Sequence, residues 1–322
     1  MEMKAIGILT SGGDAPGMNA AYRSVAKCAL NKGIKVYGIK RGYNGLLNGD
    51  IIELNARSVL SLIHRSGTAL YTARCLEFKE EEGIQKAIRT CKEYEIDGCV
   101  VIGGDGSFRG ARDLSLRGVP CIGIPATIDN DISSTDYAIG FDTALNTAVD
   151  MIDKIRDTSE SHDRCTVVEV MGNKSGYLAL NSGLAVGATA IVMHEVPCEV
   201  ERDVVKRIME AKAKGKHHFI IIVAEKTLPV DQLAKQIEAI TGIESRFSIL
   251  GHVQRGGSPS AFDRILASKM GNHAVELLTQ GTGNRVVACR DMKIVNYDIY
   301  EALNIVKPID MNLYNLALEI GS

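Results

Sequence analysis

The sequence predicts an α/β fold in which mostly parallel sheets are covered by helices on both faces, giving three layers. Short apolar runs bounded by glycine or proline, which are typical of buried strands, recur along the whole chain. Stretches with helical spacing of apolar residues separate these runs, and this alternation is typical of parallel sheets joined by crossover helices. The length of 322 residues suggests about two domains and allows a substantial core.

Composition and charge exclude several classes of protein. Hydrophobic residues make up 45% of the chain and charged residues 24%, and the formal net charge is −2, so we expect no nucleic-acid or anionic-membrane partner. The eight cysteines are scattered and form no Cys-x-x-Cys pair, which argues against a zinc site or a disulfide framework and favours a reducing cytoplasm. The N-terminus shows no signal-peptide pattern, and the longest apolar run, residues 219–224, is too short to span a bilayer.

The first predicted strand, residues 5–9, leads into a glycine-rich loop over residues 10–19. A helix over residues 18–31 follows, and Gly33 is placed to end it. Accessible backbone N–H groups at a helix N-terminus suit a phosphate group, although the loop lacks the Lys and Ser or Thr of a P-loop and has no Gly-x-Gly-x-x-Gly pattern. On these residues alone, a plain tight turn explains the loop equally well.

The same patterns predict the remaining elements. Strands are predicted over residues 35–39, 99–102, 118–125, 165–170, 190–192 and 219–224, and helices over residues 80–94, 141–158 and 201–214. Residues 41–45, which include two glycines, are expected to form a loop.

Two predicted strands end in acidic residues. The strand over residues 99–102 leads into Gly-Gly-Asp-Gly-Ser, where glycines let a nucleotide approach the backbone while Asp105 reaches its magnesium ion. The strand over residues 118–125 is followed by Thr127, Asp129 and Asp131, and spacing by two lets an extended segment point both carboxylates the same way. Because strands of an open parallel sheet end at its ligand crevice, we expect these side chains at one site. Asp and Asn also favour solvated turns, and that explanation has about equal weight for the second loop.

Two later segments also carry candidate binding residues. Residues 171–176 leave a strand as a polar loop, and a strand is expected to lead His252 and Arg255 into a glycine turn. Arginine offers a bidentate fork to phosphate, so with Arg246 this cluster favours an anion site, although each residue alone is more often structural or solvated.

Four motifs, taken in this order, resemble those of the bacterial ATP-dependent 6-phosphofructokinases of the type A family. They are LTSGGDAPGMNA at residues 9–20, GGDGS at 103–107, PATIDND at 125–131 and GHVQRGGSP at 251–259. The glycine-aspartate turn alone is weak, since NAD kinases and diacylglycerol kinases share it. The resemblance extends over essentially the full chain.

The resemblance implies two similar three-layer α/β/α domains with mostly parallel sheets and an active site in the cleft between them. The larger, ATP-binding domain would comprise residues 1–139 and 252–304. The smaller domain, which would bind fructose 6-phosphate, would comprise residues 140–251 and 305–322.

Carried over position by position, the resemblance also implies a set of residues for each ligand. The residues for ATP are Gly13, Tyr43, Arg74, Cys75, Gly104, Asp105, Gly106 and Ser107, and Asp105 would also hold Mg²⁺. The residues for fructose 6-phosphate are Thr127, Ile128, Asp129, Arg164, Met171, Gly172, Asn173, Glu225, Arg246, His252, Val253, Gln254 and Arg255. Arg164 and Arg246 would reach in from a neighbouring subunit of a homotetramer. The implied catalytic set is Asp129 as the general base for the sugar 1-hydroxyl, Thr127 steadying the transferred phosphoryl group, and Asp131.

A regulatory site is implied as well. The positions matching those around an effector phosphate, from ADP or phosphoenolpyruvate, are Arg23, Lys27, Arg156, Gly187, Lys214, Lys216 and His218. Three positions depart from the family pattern: Ala56 replaces an Arg, Ser61 an Asp, and Thr189 the Glu that helps hold the effector's metal. Near the transferred phosphate, Asn173 replaces an arginine and is followed by Lys174.

The function implied is phosphorylation of fructose 6-phosphate by MgATP, with allosteric regulation. One alternative is a pyrophosphate-dependent enzyme, but such members tend to carry Asp and Lys where this chain has the small residues Gly106 and Ala126. Another is a catalytically inactive sugar-phosphate sensor, which would not require Asp129, since binding does not need a proton acceptor.

Overall fold

The computed structural model describes residues 3–321, which divide into two compact units. The first unit runs to Ile128 and continues over Ile132–Thr143 and Arg255–Lys307. The second contains Asp129–Asp131, Ala144–Gln254 and the chain from Pro308 onward. Both units are α/β in architecture, as the sequence predicts.

Strands and helices alternate along both units. The strands are β1 (Ala5–Thr10), β2 (Lys35–Ile39), β3 (Ile51–Leu54), β4 (Gly98–Gly103), β5 (Cys121–Pro125), β6 (Cys165–Val170), β7 (Ala190–Val192), β8 (Phe219–Ala224), β9 (Ser245–Ile249), β10 (Arg285–Arg290) and β11 (Lys293–Asp298). The helices are α1 (Met18–Asn31), α2 (Tyr43–Asn48), α3 (Glu81–Glu93), α4 (Asp105–Ser115), α5 (Phe141–Glu160), α6 (Tyr177–Ala185), α7 (Lys206–Ala213), α8 (Val230–Thr241), α9 (Ala261–Thr279), α10 (Ile299–Asn304) and α11 (Met311–Ile320). Short 3₁₀ turns occur at Glu77–Lys79 and Gly251–Arg255, and a π-helical turn at Glu201–Val205 leads into α7.

The first unit contains a seven-stranded sheet in the order β11-β10-β5-β4-β1-β2-β3. Its five central strands are parallel, and β3 and β11 are antiparallel edges. β1, β4 and β5 are buried along their whole length, which explains why they are continuous apolar runs in the sequence. The strand order reverses direction at β1, because β2 lies on one side of it and β4 on the other.

The second unit contains a parallel four-stranded sheet in the order β7-β8-β6-β9. Phe219 and its neighbours in β8 are fully buried and form a core with α7 and α8. β9 is an edge strand, and most of its residues are exposed or half-buried.

Several elements confirm the sequence predictions, and others correct them. α1, β2, β6, β7 and β8 have the predicted bounds. The predicted loop over residues 41–45 is wrong, because α2 begins at Tyr43, after Gly42 at φ 61°. Tyr43 is buried and stacks on Phe78 with ring centroids 4.1 Å apart, so packing stabilises a short helix that local composition does not predict. The strand expected to lead into His252 ends at Ile249, and a 3₁₀ turn presents His252 instead.

Candidate active site

Three loops of the first unit leave the same edge of its sheet. Gly103 at the end of β4 pairs in register with Pro125 at the end of β5, and Thr10 at the end of β1 pairs with Ile102. The loops that follow therefore start side by side, next to the point where the strand order reverses. In open α/β sheets this is where ligands bind.

The loop after β1 has the geometry of an anion cradle. Gly12 and Gly17 have φ values of 91° and 97°, which favour glycine, and Gly17 directly precedes α1. Thr72 donates its hydroxyl hydrogen to the Gly12 carbonyl at 2.6 Å. Arg255 donates from Nη1 to the Asp14 carbonyl at 3.0 Å, and a side chain at residue 13 would come within 2.8 Å of that nitrogen. Glycine at position 13 is therefore what lets a cationic guanidinium lie against the loop.

The loop after β4 places Asp105 at a helix N-terminus. The structure corrects the expected turn, because Asp105 is the first residue of α4 and Gly104 its N-cap. Ser107 is buried, and a side chain at Gly103 would meet its hydroxyl and the Ser11 carbonyl. At Gly104 and Gly106, by contrast, no atom other than those of the chain neighbours and the adjoining helix backbone lies within 4 Å of where a Cβ would stand. A phosphate chain therefore has open space beside these two glycines and the N–H groups of the first helical turn.

Three further residues implied for ATP lie around these loops. The Tyr43 hydroxyl donates to the Ser107 carbonyl at 2.6 Å, so this buried side chain supports the first turn of α4. Arg74 is exposed, and its carbonyl accepts from the Asn44 side chain at 3.1 Å. Cys75 is half-buried, and burial raises the pKa of its thiol. These contacts connect α2 and the segment before α3 to the glycine loops.

The segment after β5 carries Thr127, Asp129 and Asp131, but it is not extended. Asn130 has φ 52°, in the left-handed region, so the expected extended alternation is wrong. Asp129 is 8% exposed whereas Asp131 is exposed, and Asn130 is buried at 3%. Thr127 is half-buried, and Ile128 is fully buried. The Ser175 hydroxyl donates to the Asp129 carbonyl at 3.1 Å and holds the backbone there.

In the second unit, Glu225 organises the loop after β6. One of its carboxylate oxygens accepts the backbone N–H groups of Gly172 at 3.2 Å and Asn173 at 2.7 Å. Lys226 donates to the Asn173 side chain at 2.8 Å. Gln254 is fully buried and accepts the Met171 N–H at 3.3 Å. The residues predicted from the strand-end loops of β6, β8 and β9 are thus brought together.

Arg164 and Arg246 share one carboxylate that the sequence analysis missed. Glu244 forms an ion pair with Nε of Arg164 at 2.9 Å, and its other oxygen pairs with Arg246. These arginines hold the pKa of Glu244 below its ordinary value. Nothing in the sequence places Arg164 beside residue 244, because the contact arises from the pairing of β6 with β9.

His252 and Val253 are exposed on the 3₁₀ turn, in contrast to Gln254. Gln254 also donates to the Gly251 carbonyl at 3.0 Å, so the turn is fixed from inside. His252 is thereby presented to solvent from a rigid turn.

Some of the predicted effector residues also lie together. In the second unit, burial lowers the pKa of Lys216, and the positive charge of Arg156 lowers it further. Burial likewise lowers the pKa of His218. Arg156 donates to the Val186 carbonyl, next to Gly187 at φ 59°. Lys214 is exposed, Thr189 is fully buried, and in the first unit Arg23 and Lys27 are half-buried on α1.

The chemistry available is phosphoryl transfer assisted by positioning and charge. The first unit offers open glycine loops and Asp105, and the second offers a buried carboxylate, Asp129, with several cations. No group of three or more His, Cys, Asp or Glu side chains suited to a metal occurs within residues 3–321. Mg²⁺ commonly needs only one or two carboxylates when substrate phosphates supply the other oxygens, so Asp105, at the start of α4 beside open glycines, fits that ion.

Comparisons with known proteins identify relatives over almost the whole chain. The family model described as Phosphofructokinase matches residues 5–278. "ATP-dependent 6-phosphofructokinase 1" of Clostridium perfringens is 54% identical over 319 residues, which cover 99% of this chain and 100% of the relative. "ATP-dependent 6-phosphofructokinase" of Bacillus pumilus is 53% identical over 319 residues, with the same coverage of 99% and 100%.

Solved structures show the same fold. Phosphofructokinase from Saccharomyces cerevisiae superimposes with a TM-score of 0.88 at 33% identity, covering 99% of this chain and 48% of the yeast chain. This chain therefore spans about half of the yeast chain. A pyrophosphate-dependent phosphofructokinase from Marinobacter aquaeolei superimposes with a TM-score of 0.86 at 22% identity, covering 98% of this chain and 91% of that one, which shows a shared fold only.

Proposed function

The chain belongs to the phosphofructokinase family, and from that membership we infer that it is an ATP-dependent 6-phosphofructokinase. It transfers the γ-phosphoryl group of ATP to fructose 6-phosphate, giving fructose 1,6-bisphosphate in the committed step of glycolysis. The observation that carries the assignment concerns two strand ends of the first unit. The loop after β4, with its open glycines and Asp105, starts beside the segment after β5 that leads to Asp129.

The mechanism follows from what each side chain can do. Asp129 accepts the proton of the sugar 1-hydroxyl as that oxygen attacks phosphorus, and Thr127 donates a hydrogen bond to the phosphoryl group in transfer. The N–H groups at the start of α4 and in the loop after β1 stabilise the phosphates of ATP. Asp105 would hold Mg²⁺, which when bound offsets charge on the phosphate oxygens. Proton transfer by Asp129 also distinguishes an enzyme from a sugar-phosphate sensor.

We propose that the first unit binds ATP and the second most of the sugar phosphate. Gly13, Tyr43, Arg74, Cys75 and residues 104–107 all lie in the first unit. Met171, Gly172, Asn173, Glu225 and residues 252–254 lie in the second. Arg255 belongs to the first unit, where its contact with the Asp14 carbonyl places its charge beside the glycine-rich loop after β1.

The donor can be tested with the purified protein. ATP is expected to support phosphorylation of fructose 6-phosphate and pyrophosphate is not, because small residues at 106 and 126 leave room for the α-phosphate. A coupled assay with each donor offered separately measures this. Higher catalytic efficiency with pyrophosphate would show that the donor is misassigned.

A matched variant makes the donor test sharper. Gly106→Asp adds a carboxylate where the structure has open space, so the variant should fold normally. Like charges at about 4 Å repel by roughly 1 kcal/mol even in water, so catalytic efficiency with ATP should fall at least about fivefold. Unchanged efficiency would mean that the α-phosphate does not lie beside residue 106.

We propose a homotetramer acting in the cytoplasm, with Arg164 and Arg246 serving a neighbouring subunit's site. The edge strand β9 supports this assembly, since Phe247 and Ile249 beside Arg246 are 47% and 57% exposed. Exposed apolar side chains on a sheet edge favour association with another chain. None of the helices within residues 3–321 combines the length and apolar character needed to cross a membrane.

We propose that phosphorylated effectors regulate the enzyme from a site between subunits, to which Arg156, Lys216 and His218 contribute, as do Arg23 and Lys27. Phosphoenolpyruvate needs only cations and is expected to inhibit. Activation by MgADP should be weak or missing, because Thr189 replaces a metal-binding carboxylate and is fully buried. The measurement is a titration of each effector at subsaturating fructose 6-phosphate, with Arg23→Ala as the control. Strong MgADP activation with no response to phosphoenolpyruvate would contradict the proposal.

A further inference from the structure

A buried carboxylate outside the predicted site holds the start of α5. Asp263 lies in the first turn of α9 and is 0% exposed. One of its oxygens accepts the Gly140 N–H at 2.9 Å, and the other accepts the Thr143 N–H at 2.9 Å and the Thr143 hydroxyl. The first N–H groups of a helix have no partner within it, so Asp263 caps α5 from another helix.

The turn that Asp263 holds is joined to the segment after β5. Ile139, next to Gly140, forms a parallel β-bridge with Ala126. Its N–H donates to the Pro125 carbonyl, and its carbonyl accepts the Thr127 N–H, both at 3.0 Å. Two hydrogen bonds therefore connect Thr127 to the Asp263 carboxylate: one from the Thr127 N–H to the Ile139 carbonyl, and one from the N–H of the next residue, Gly140, to Asp263.

The same turn packs against the loop before α1. A side chain at Gly17 would come within 2.7 Å of Ile139, and one at Gly140 would come within 2.7 Å of Ala15. Gly140 has φ 105°, a conformation that favours glycine. Close contact of these glycine backbones with the Ile139 and Ala15 side chains leaves little room for the turn to shift alone.

We propose that Asp263 is a positioning residue for phosphoryl transfer, which fixes Thr127 through the turn of residues 139–143. The inference rests on the proposed function, since it gives Thr127 its role in the transfer. Burial raises the pKa of Asp263, but the hydrogen bonds from Thr143 and Gly140 oppose that shift by favouring the charged form.

The geometry needs a carboxylate rather than an amide. An ionised carboxylate only accepts hydrogen bonds, whereas asparagine turns an NH₂ group toward one of the backbone donors. Asp263→Asn would leave a buried N–H facing another donor, and the turn would have to move. A displacement of about 1 Å at reacting groups can cost up to about 10²-fold in rate. Because the bridge to Ile139 remains, we expect turnover to fall about tenfold.

The test compares Asp263→Asn with Ser24→Ala, and the readouts are kcat, both KM values and the melting temperature. Ser24 donates its hydroxyl hydrogen to the Ser268 carbonyl at 2.7 Å, so its variant also removes a partly buried hydrogen bond to α9, but away from the turn. Asp263→Asn should lower kcat about tenfold while each KM changes less than about threefold, because Thr127 acts in the transition state. Ser24→Ala should lower the melting temperature by a few degrees and leave kcat within about twofold.

Normal kcat in folded Asp263→Asn, or an equal kcat loss in Ser24→Ala, would overturn the inference. If Asp263→Asn does not fold, the pair Thr143→Val and Thr143→Ser decides. Only the valine variant loses the Thr143 hydroxyl, which donates to Asp263 and accepts from the Ser260 N–H, so only this variant should lose turnover.

Activity of the wild-type protein is measured first. An inactive wild type rejects the proposed function and the inference with it. An active wild type with active variants rejects the inference alone.

Discussion

Replacing Asp129 with serine is expected to reduce turnover about 10²-fold to 10⁴-fold, the usual contribution of a positioned general base. The carboxylate is 8% exposed, so the substitution removes a proton acceptor that bulk water replaces poorly. The Ser175 contact to the backbone carbonyl of residue 129 does not depend on the side chain and should persist. Apparent affinity for fructose 6-phosphate should change much less, because proton transfer occurs in the transition state. Steady-state kcat and KM measure both effects.

Asp150→Ser provides the matched control for this experiment. Asp150 also belongs to the second unit, but its side chain is 60% exposed and forms a surface ion pair with Lys154. Such pairs contribute about 1 kcal/mol or less to stability, so this variant should keep its activity. Near-normal turnover in Asp129→Ser would remove Asp129 from the role of base.

Much of the fold follows from local patterns in the sequence. β8 is buried along its whole length and is therefore a continuous apolar run, and the sequence predicts its ends and those of the mostly buried β6 correctly. α1 combines an apolar face with glycines at both ends, and these signals mark its bounds. Elements of this kind are specified by the chain segments that form them.

The errors occur where tertiary contacts decide the local conformation. α2 is only six residues long, follows Gly42 and contains Gly45, so local composition argues against a helix there. It is stabilised by the stacking of Tyr43 on Phe78, 35 positions later in the sequence, which no local pattern indicates. Asn130 adopts a left-handed conformation that breaks the alternation expected of Asp129 and Asp131. Side chains spaced by two residues point in the same direction only if the segment is extended, and functional loops often are not extended.

In the candidate site, too, some residues follow from local sequence patterns and others only from tertiary contacts. Asp105, Asp129 and Arg255 were found from the motifs, because strand ends and glycines mark the loops that carry them. Glu244 and Asp263 carry no such signal, since each contacts a residue that is distant in sequence and comes close only in the fold. Residues that hold other residues in place carry no motif of their own.

Truncation of Arg246 to alanine is expected to raise the fructose 6-phosphate concentration at half-maximal velocity about tenfold to hundredfold. A charge-assisted hydrogen bond contributes about 1.5 to 3 kcal/mol, and the ligand's phosphate would lose such bonds. In the free chain Arg246 is paired with Glu244, and its side chain is 58% exposed, so it is accessible to a ligand on another subunit. Arg202→Ala is the control, because that side chain is 61% exposed in the same unit and is also paired with a carboxylate.

The assignment of Arg246 to a neighbouring subunit's site predicts complementation between two defective chains. An Arg246→Ala chain retains Asp129, and an Asp129→Ser chain retains Arg246, so a hybrid tetramer would contain some sites with both groups intact. Activity should therefore appear when the two differently tagged chains are co-expressed and hybrids are isolated on both tags, while each parent alone remains defective. Every site lacks the base in one parent and the arginine in the other. Recovery measured at a fructose 6-phosphate concentration too low for the Arg246→Ala chain therefore cannot come from either homotetramer. Absence of activity in verified hybrids would show that one chain supplies both groups to its own site.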